Sequence, residues 1–390
     1  MQPVPAYLFL TFLKIGATSW GGFMSLISMI QKKVVEKDRM LDHTKLMEGI
    51  SLASVLPGPM AVNVVSFVGY QLGGWKGALL SVTAVILPSF VLMLALSHFY
   101  LQYGDVPAMS HFFAGILPAV AAIIISVAIS MGRKSISDVP QMLIAVVAAF
   151  VVLISKSYFS TLAVLLVSAL AGYWVYFKKT GSAAAQERGR AELKLSYPLL
   201  IAGILAIALI AWPQSNPLAA LHRTIALTFS GMSLTQFGGG YVIIPAMQKI
   251  IVDGHHWLSA RAFADAIAMG QVTPGPIFIS ATFIGYKLAG FWGALNATIA
   301  IFTPTALLTI MAARFFNKIS QSEKVVAVFK GLRPAIIGMI VSAGISILWG
   351  SGITVFSVAV FAAALGATIY FKTDPALVVP AAGILGLLIL

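Results

Sequence analysis

The sequence predicts an all-α polytopic membrane protein: two homologous inverted-topology repeats with helices broken at Pro-Gly-Pro, joined by one extra span. Three observations carry this reading. Hydrophobic residues make up 59% of the 390-residue chain and charged residues 9%. So few charges cannot cover a soluble surface, and a chain this apolar does not stay disordered. An ordered set of glycines, prolines and polar residues occurs twice. The Lys and Arg bias of the loops reverses between the two copies. The apolar runs are near-continuous and lack period-two alternation, which argues against a β-barrel.

The 25 Lys and Arg residues outnumber the 12 Asp and Glu, a net charge of +13. In so apolar a chain this excess reads as basic cytoplasmic loops and not as a nucleic-acid surface. With no cysteine there are no disulfides, thiolate metal sites or thiol redox chemistry. Met1 to Leu10 lacks a basic n-region, so no cleavable signal peptide is expected. No Walker motif and no strand-borne GxGxxG is present, and His98, His111, His222, His255 and His256 sit at expected span ends without metal-ligand spacing. The expectation is a protein that is not an enzyme and holds no cofactor.

The repeat covers nearly the whole chain. Phe12, Thr18, Gly21, Gly22, Gln31 and Lys32 recur in order as Phe229, Thr235, Gly238, Gly239, Gln248 and Lys249. Pro57-Gly58-Pro59 recurs as Pro274-Gly275-Pro276. After a one-residue slip, Gly69-Tyr70 matches Gly285-Tyr286, Pro88 matches Pro304, and Gly115 and Pro118 match Gly331 and Pro334. The expected units are an N-terminal transmembrane repeat (1–178), a cytoplasmic linker plus extra span (179–221) and an inverted C-terminal repeat (222–390).

Hydrophobic segments run over 6–31, 44–73, 75–101, 111–131, 139–155 and 158–178 in the first copy. In the second they run over 223–248, 261–289, 291–316, 326–349, 351–371 and 374–390. The linker 178–196 is basic, and 197–212 is apolar without a partner in the first copy. Arg133 and Lys134 mark one loop, while its repeat partner near 349–355 is uncharged. Conversely, 102–110 lacks Lys and Arg while its partner carries Arg314, Lys318, Lys324 and Lys330. Such a reversal is the mark of an inverted repeat, which the unpaired span would turn over.

The segments 44–73 and 261–289 are each split by Pro-Gly-Pro. Proline lacks an N–H and clashes with the preceding turn, so a helix stops there. Pro59 and Pro276 suit the first position of a new helix. Each segment reads as two half-helices meeting near the bilayer midplane, where irregular backbone survives only inside protein or against a wet cavity. Crossing once and re-entering as a hairpin are both open; the basic stretch 32–45 and Lys76 favour a hairpin in the first copy. Two inverted copies would bring both breaks together and point two helix N-termini at one place, a ready anion site. Donors to complete it are Ser54, Asn63, Gln271, Thr273, Ser280 and Thr282, beside Pro57, Gly58, Pro59, Pro274, Gly275 and Pro276. A packing kink is the competing reading.

Lys14 lies in the first segment, either as an anion ligand or snorkelling to an interface. Glu48 and Asp265 are repeat-equivalent, nine residues before each break. They either couple protons or favour the first turns of a half-helix.

At these residues the sequence resembles the chromate ion transporter family in its long, two-domain form. The resemblance rests on Gly21-Gly22, Glu48, Pro57-Gly58-Pro59, Gly69-Tyr70, Gly74 and Gly77-Ala78, with a second set at Gly238-Gly239, Asp265, Gln271, Pro274-Gly275-Pro276, Gly285-Tyr286, Gly290 and Gly293-Ala294. It implies a bacterial inner-membrane protein that exports chromate from the cytoplasm, driven by the membrane potential or a proton gradient, and confers chromate resistance. Sulfate, another tetrahedral dianion, is the implied competitor. A sulfate or other oxyanion transporter or exchanger is the alternative. Expected partners are chromate and sulfate, the lipid bilayer and, as one allowed assembly, a homodimer; nucleic acid is not expected. Ser54 stands where the second copy has Gln271, so the two copies are expected to contribute unequally.

Overall fold

The computed structural model describes residues 4–19, 23–103, 107–155, 158–177, 216–235, 243–313, 323–350, 352–373 and 375–390. The linker 178–196, the expected extra span 197–212 and the glycines Gly21, Gly22, Gly238 and Gly239 lie outside the described residues. All regular structure among the described residues is helical. The first copy comprises α1 (Val4–Thr18), α2 (Phe23–Ile30), α3 (His43–Val55), α4 (Met60–Tyr103), α5 (Pro107–Ser135), α6 (Val139–Ile154) and α7 (Tyr158–Tyr176). The second comprises α8 (Pro217–Thr235), α9 (Ile243–Gln248), α10 (Ala260–Val272), α11 (Ser280–Ala313), α12 (Glu323–Gly350), α13 (Val355–Ile369) and α14 (Pro375–Ile389). Among the described residues, four stretches are long and apolar enough to cross a membrane: Met60–Tyr103, His111–Arg133, Ile277–Ala313 and Val326–Trp349.

Two of those stretches turn back on themselves. Within α4 the backbone leaves helical geometry at Gly73 and at Gly74 (φ 61°). Within α11 it does so at Ala289 and at Gly290 (φ 60°). A left-handed φ costs an L-residue roughly 1–2 kcal/mol, so glycine sits at each turn. The arms then pack so closely that a Cβ on Gly69 or Gly77, or on Gly285 or Gly293, would strike the facing backbone. Contact of this kind holds helices together in lipid, where dispersion replaces the hydrophobic effect as the driving force.

The earlier helices form hairpins too. Gly49 on α3 lies against the Phe67 ring on α4, and the two residues are equally far from Gly58. The α3 helix and the first arm of α4 therefore run side by side in opposite directions. In the second copy Gly270 faces Ser280 across Gly275 in the same way. The helices α1 and α2 are also antiparallel. The Tyr7 hydroxyl donates to Asp38 Oδ2 at 2.7 Å at one end, and Ser19 Oγ meets Met29 Sδ at 3.3 Å at the other. Both α2 and α9 run on into π-helical stretches at matching positions, Gln31–Lys37 and Lys249–Gly254. Each is followed by a non-glycine residue of positive φ, Arg39 (52°) and His256 (53°).

The two copies clasp each other. The α5 helix packs on α13 and α14, while α12 packs on α6 and α7. Gly115 abuts the backbone of Ala382 and Gly386, and its repeat partner Gly331 abuts that of Ser168 and Gly172. The repeat-equivalent helices α5 and α12 also touch. Ile337 stands beside Gly132, and Ile125 and Ala121 beside Gly344, so these two run in opposite directions. The long helices α4 and α11 cross at the centre.

Candidate functional site

Both Pro-Gly-Pro triplets lie at this central crossing, and all six residues are buried. In the first copy α3 closes with the Leu56 N–H on the Leu52 carbonyl (3.1 Å). Gly58 takes φ 93°. The Pro59 carbonyl then accepts from the N–H groups of Val62 (2.9 Å) and Asn63 (3.0 Å). Pro59 thus caps α4 from just outside it, one position earlier than the sequence suggested. Asn63 Nδ2 reaches back across the break to the Pro57 carbonyl at 2.9 Å. Its Oδ1 is buried and has no hydrogen-bond partner among the described residues.

The second break is built differently. The Thr273 N–H closes α10 on the Met269 carbonyl (3.1 Å), and its hydroxyl donates to Gly270 O (3.0 Å). Gly275 takes φ 106°. A 3-10 turn over Ile277–Ile279 intervenes before α11, so Pro276 caps that turn, and Ser280 Oγ donates to Ile277 O at 3.0 Å. Gln271 is buried one turn before the break.

Each break rests on the opposite copy. Ser89 Oγ donates to the Pro274 carbonyl and fills the space where a Cβ on Gly275 would go. Its repeat partner Thr305 fills the equivalent space on Gly58. The Gly275 N–H donates to the Ser19 carbonyl at 2.9 Å. Ser66 Oγ donates to Ala306 O at 3.0 Å, and Ser233 Oγ lies 3.4 Å from Thr305 Oγ1. Pro304 inside α11 cannot bond the Ala300 carbonyl, and Ser230 Oγ does so instead at 3.2 Å. A belt of hydroxyl and amide groups therefore surrounds the two breaks. Thr282 and Thr298 extend it with a 2.7 Å hydroxyl pair.

Asp265 is the one buried charged side chain among the described residues. Its Oδ2 accepts from Tyr100 of the other copy at 2.7 Å, and its Oδ1 has no hydrogen-bond partner among the described residues. Its repeat partner Glu48 is instead half-buried and paired with Lys45 at 2.8 Å. Lys14 is exposed on the side of α1 away from buried Leu8, Phe12 and Ile15. The structure thus brings Pro57, Gly58, Pro59, Asn63, Thr273, Pro274, Gly275, Pro276 and Ser280 to one centre. Glu48 and Lys14 stand apart from it. The Ser54 side chain lies outside the described residues.

Sequence reasoning missed Ser89, Thr305, Ser66, Ser233 and Tyr100. A signal existed for the first two, because each follows a repeat-matched proline, Pro88 or Pro304. Outside the spans, burial opposes the charge of Asp38, but hydrogen bonds from Tyr7 and Lys33 and the Lys33 charge outweigh it. Together they hold the carboxyl below its usual range.

The family profile described as Chromate transporter matches residues 6–173 and 223–387, one stretch in each copy. The chain belongs to the chromate transporter family. It is 31% identical over 337 residues to a chromate transport protein of Cupriavidus metallidurans, covering 86% of this chain and 80% of that protein. A probable chromate transport protein of Synechococcus elongatus is 32% identical over 339 residues, covering 85% and 81%. An uncharacterized transporter of Methanocaldococcus jannaschii is 26% identical over 344 residues, covering 87% and 84%. No solved structure matches the chain. Membership and the long apolar helices make this a membrane protein of a transporter family.

Proposed function

We propose that this chain is a secondary transporter that exports chromate from the cytoplasm across the bacterial inner membrane and so confers chromate resistance. The dianion is held between two Pro-Gly-Pro tips supplied by halves of opposite orientation. The observation that carries this reading is the reciprocal seating of the tips, Gly58 on Thr305 and Gly275 on Ser89. The inverted relation is further supported by antiparallel α5 and α12 and by the loop charges. Relatives named a chromate transport protein and a probable chromate transport protein support the substrate.

The chemistry fits a tetrahedral oxyanion. A helix N-terminus carries about half a positive charge, so two give about one. The Thr305 hydroxyl, which accepts from Ser233, and the second N–H of the Asn63 amide are donors to complete the site, with the Gln271 amide beside them; the hydroxyls of Ser89, Ser66 and Ser280 donate to carbonyls and would have to turn to reach an anion. Donors without full charges bind a dianion loosely enough to release it, which transport requires. A potential negative inside favours exit by about 2.3 kcal/mol per charge per 100 mV. Asp265 is the carboxylate suited to couple a proton, being buried with no ion pair among the described residues, while Glu48 is already paired with Lys45.

The test is uptake of radiolabelled chromate by inside-out vesicles under an imposed potential, with and without excess sulfate. The reading expects potential-driven uptake that sulfate blunts. Uptake equal to that of vesicles lacking the protein overturns it. If Pro57-Gly58 or Pro274-Gly275 can be replaced by alanines at normal protein level with full transport, the tips are not the site.

A further inference from the structure

Away from the tips, a cavity of about 440 Å³ opens between α5, α6 and α12. Its walls are apolar, built from residues such as Ile129, Met142, Val146, Ile337 and Val341, and Arg133 is the one charged residue that lines it. The volume lies within the range of about 300–1,000 Å³ found for small-molecule sites. Met142 and Val146 are more than half exposed, so the trough faces what surrounds the helices and not the protein core. Arg133 is itself exposed and has no ion-pair partner among the described residues. The last turn of α5 therefore places an uncompensated cation at an apolar trough on a membrane-spanning helix.

We infer that this trough is a binding site for an anionic phospholipid, with an acyl chain along the apolar walls and the headgroup phosphate on Arg133. Charge complementarity selects this occupant. An intramembrane or interfacial cation is ordinarily paired, and basic pockets between spanning helices take anionic headgroups. A zwitterionic lipid would fill the walls and could lay its phosphate on the guanidinium, but its own ammonium offsets that charge and leaves the net charge of Arg133 unbalanced, whereas an anionic headgroup neutralises it. Free phosphate would pair the guanidinium and leave the walls uncovered. The trough joins α5 and α6 of the first copy to α12 of the second, so an occupant would tie the copies together. The inference does not depend on which ion the protein carries.

The experiment uses the full chain, delipidated in detergent and re-exposed to phosphatidylcholine vesicles with or without phosphatidylglycerol. Retained lipid is counted by mass spectrometry and unfolding temperature is recorded. Wild-type protein should retain phosphatidylglycerol over phosphatidylcholine and unfold at a higher temperature with it. Arg133→Gln should weaken that preference about fivefold, the effect of one basic residue near a lipid surface, and Arg133→Lys should keep most of it. Gly132→Leu, which fills the trough and leaves the charge, should reduce retention of both lipids. Equal retention of the two lipids by wild-type protein overturns the inference. So does an Arg133→Gln protein indistinguishable from wild type, or stabilisation by inorganic phosphate equal to that by phosphatidylglycerol.

Discussion

The side chain of Thr305 occupies the space that a Cβ on Gly58 would need. Gly58 also has φ 93°, so alanine there meets both a clash and a strained backbone. Overpacking costs about 1–3 kcal/mol and a left-handed φ about 1–2 kcal/mol more. Gly58→Ala is expected to lower the unfolding temperature and abolish chromate uptake. Adding Thr305→Ala should return part of the stability by relieving the clash. Thermal unfolding of the single and double variants checks this, and no recovery in the double variant would count against the contact.

Ser89 and Thr305 are repeat partners with unequal tasks. Ser89 satisfies the buried Pro274 carbonyl, whereas Thr305 meets another hydroxyl. A buried group left without its partner costs about 1–3 kcal/mol. Ser89→Ala should therefore destabilise more than Thr305→Val, which keeps the shape. Denaturant or thermal melts in one detergent compare the two, and the reverse order refutes the assignment.

The Asp265–Tyr100 bond joins the copies, while Glu48 is satisfied locally by Lys45. If Asp265 couples protons, Asp265→Asn flattens the pH dependence of chromate uptake while potential-driven uptake persists. Glu48→Gln leaves the pH profile unchanged. Uptake at graded external pH with the potential clamped reads both, and an unaltered profile in Asp265→Asn removes the coupling role.

Asp38 ties α1 to the π-helical continuation of α2 through Tyr7 and pairs locally with Lys33. Its folded-state pKa is depressed, so its contribution is full above the unfolded value near 4 and is lost as pH falls through the lower folded value. Wild-type protein should lose this contribution progressively below about pH 4, and Asp38→Asn should lack that part of the acid sensitivity. Unfolding temperature against pH for the two proteins measures the difference.

Much of the fold was legible because its breaks are written in residues with one physical meaning. Pro57-Gly58-Pro59 cannot continue a helix, and the segment limits at 73 and 75 coincide with the turn at Gly73 and Gly74. Ser54 against Gln271 leads to the expectation of unequal copies; separately, the repeat partners Asp265 and Glu48 differ in burial and in pairing. The environments of those two could not be read in advance, because burial of Asp265 depends on Tyr100, far along the chain. The same holds for Ser89 and Thr305. Periodicity identifies an apolar face but not which copy covers it, and here each tip is covered by the other copy. The π-helical stretches at Gln31–Lys37 and Lys249–Gly254 carry no composition signal of their own.

The clasp between Gly115 and α14 bears on how the chain is made. Synthesis is vectorial, and α5 emerges long before α13 and α14 exist. The surface around Gly115 must wait in the bilayer, uncovered, until Ala382 and Gly386 arrive. The partner surface around Gly331 meets Ser168 and Gly172 already in place. Assembly is therefore lopsided in time although the contacts are alike in space, and the first-made half is the one exposed to premature association with neighbours.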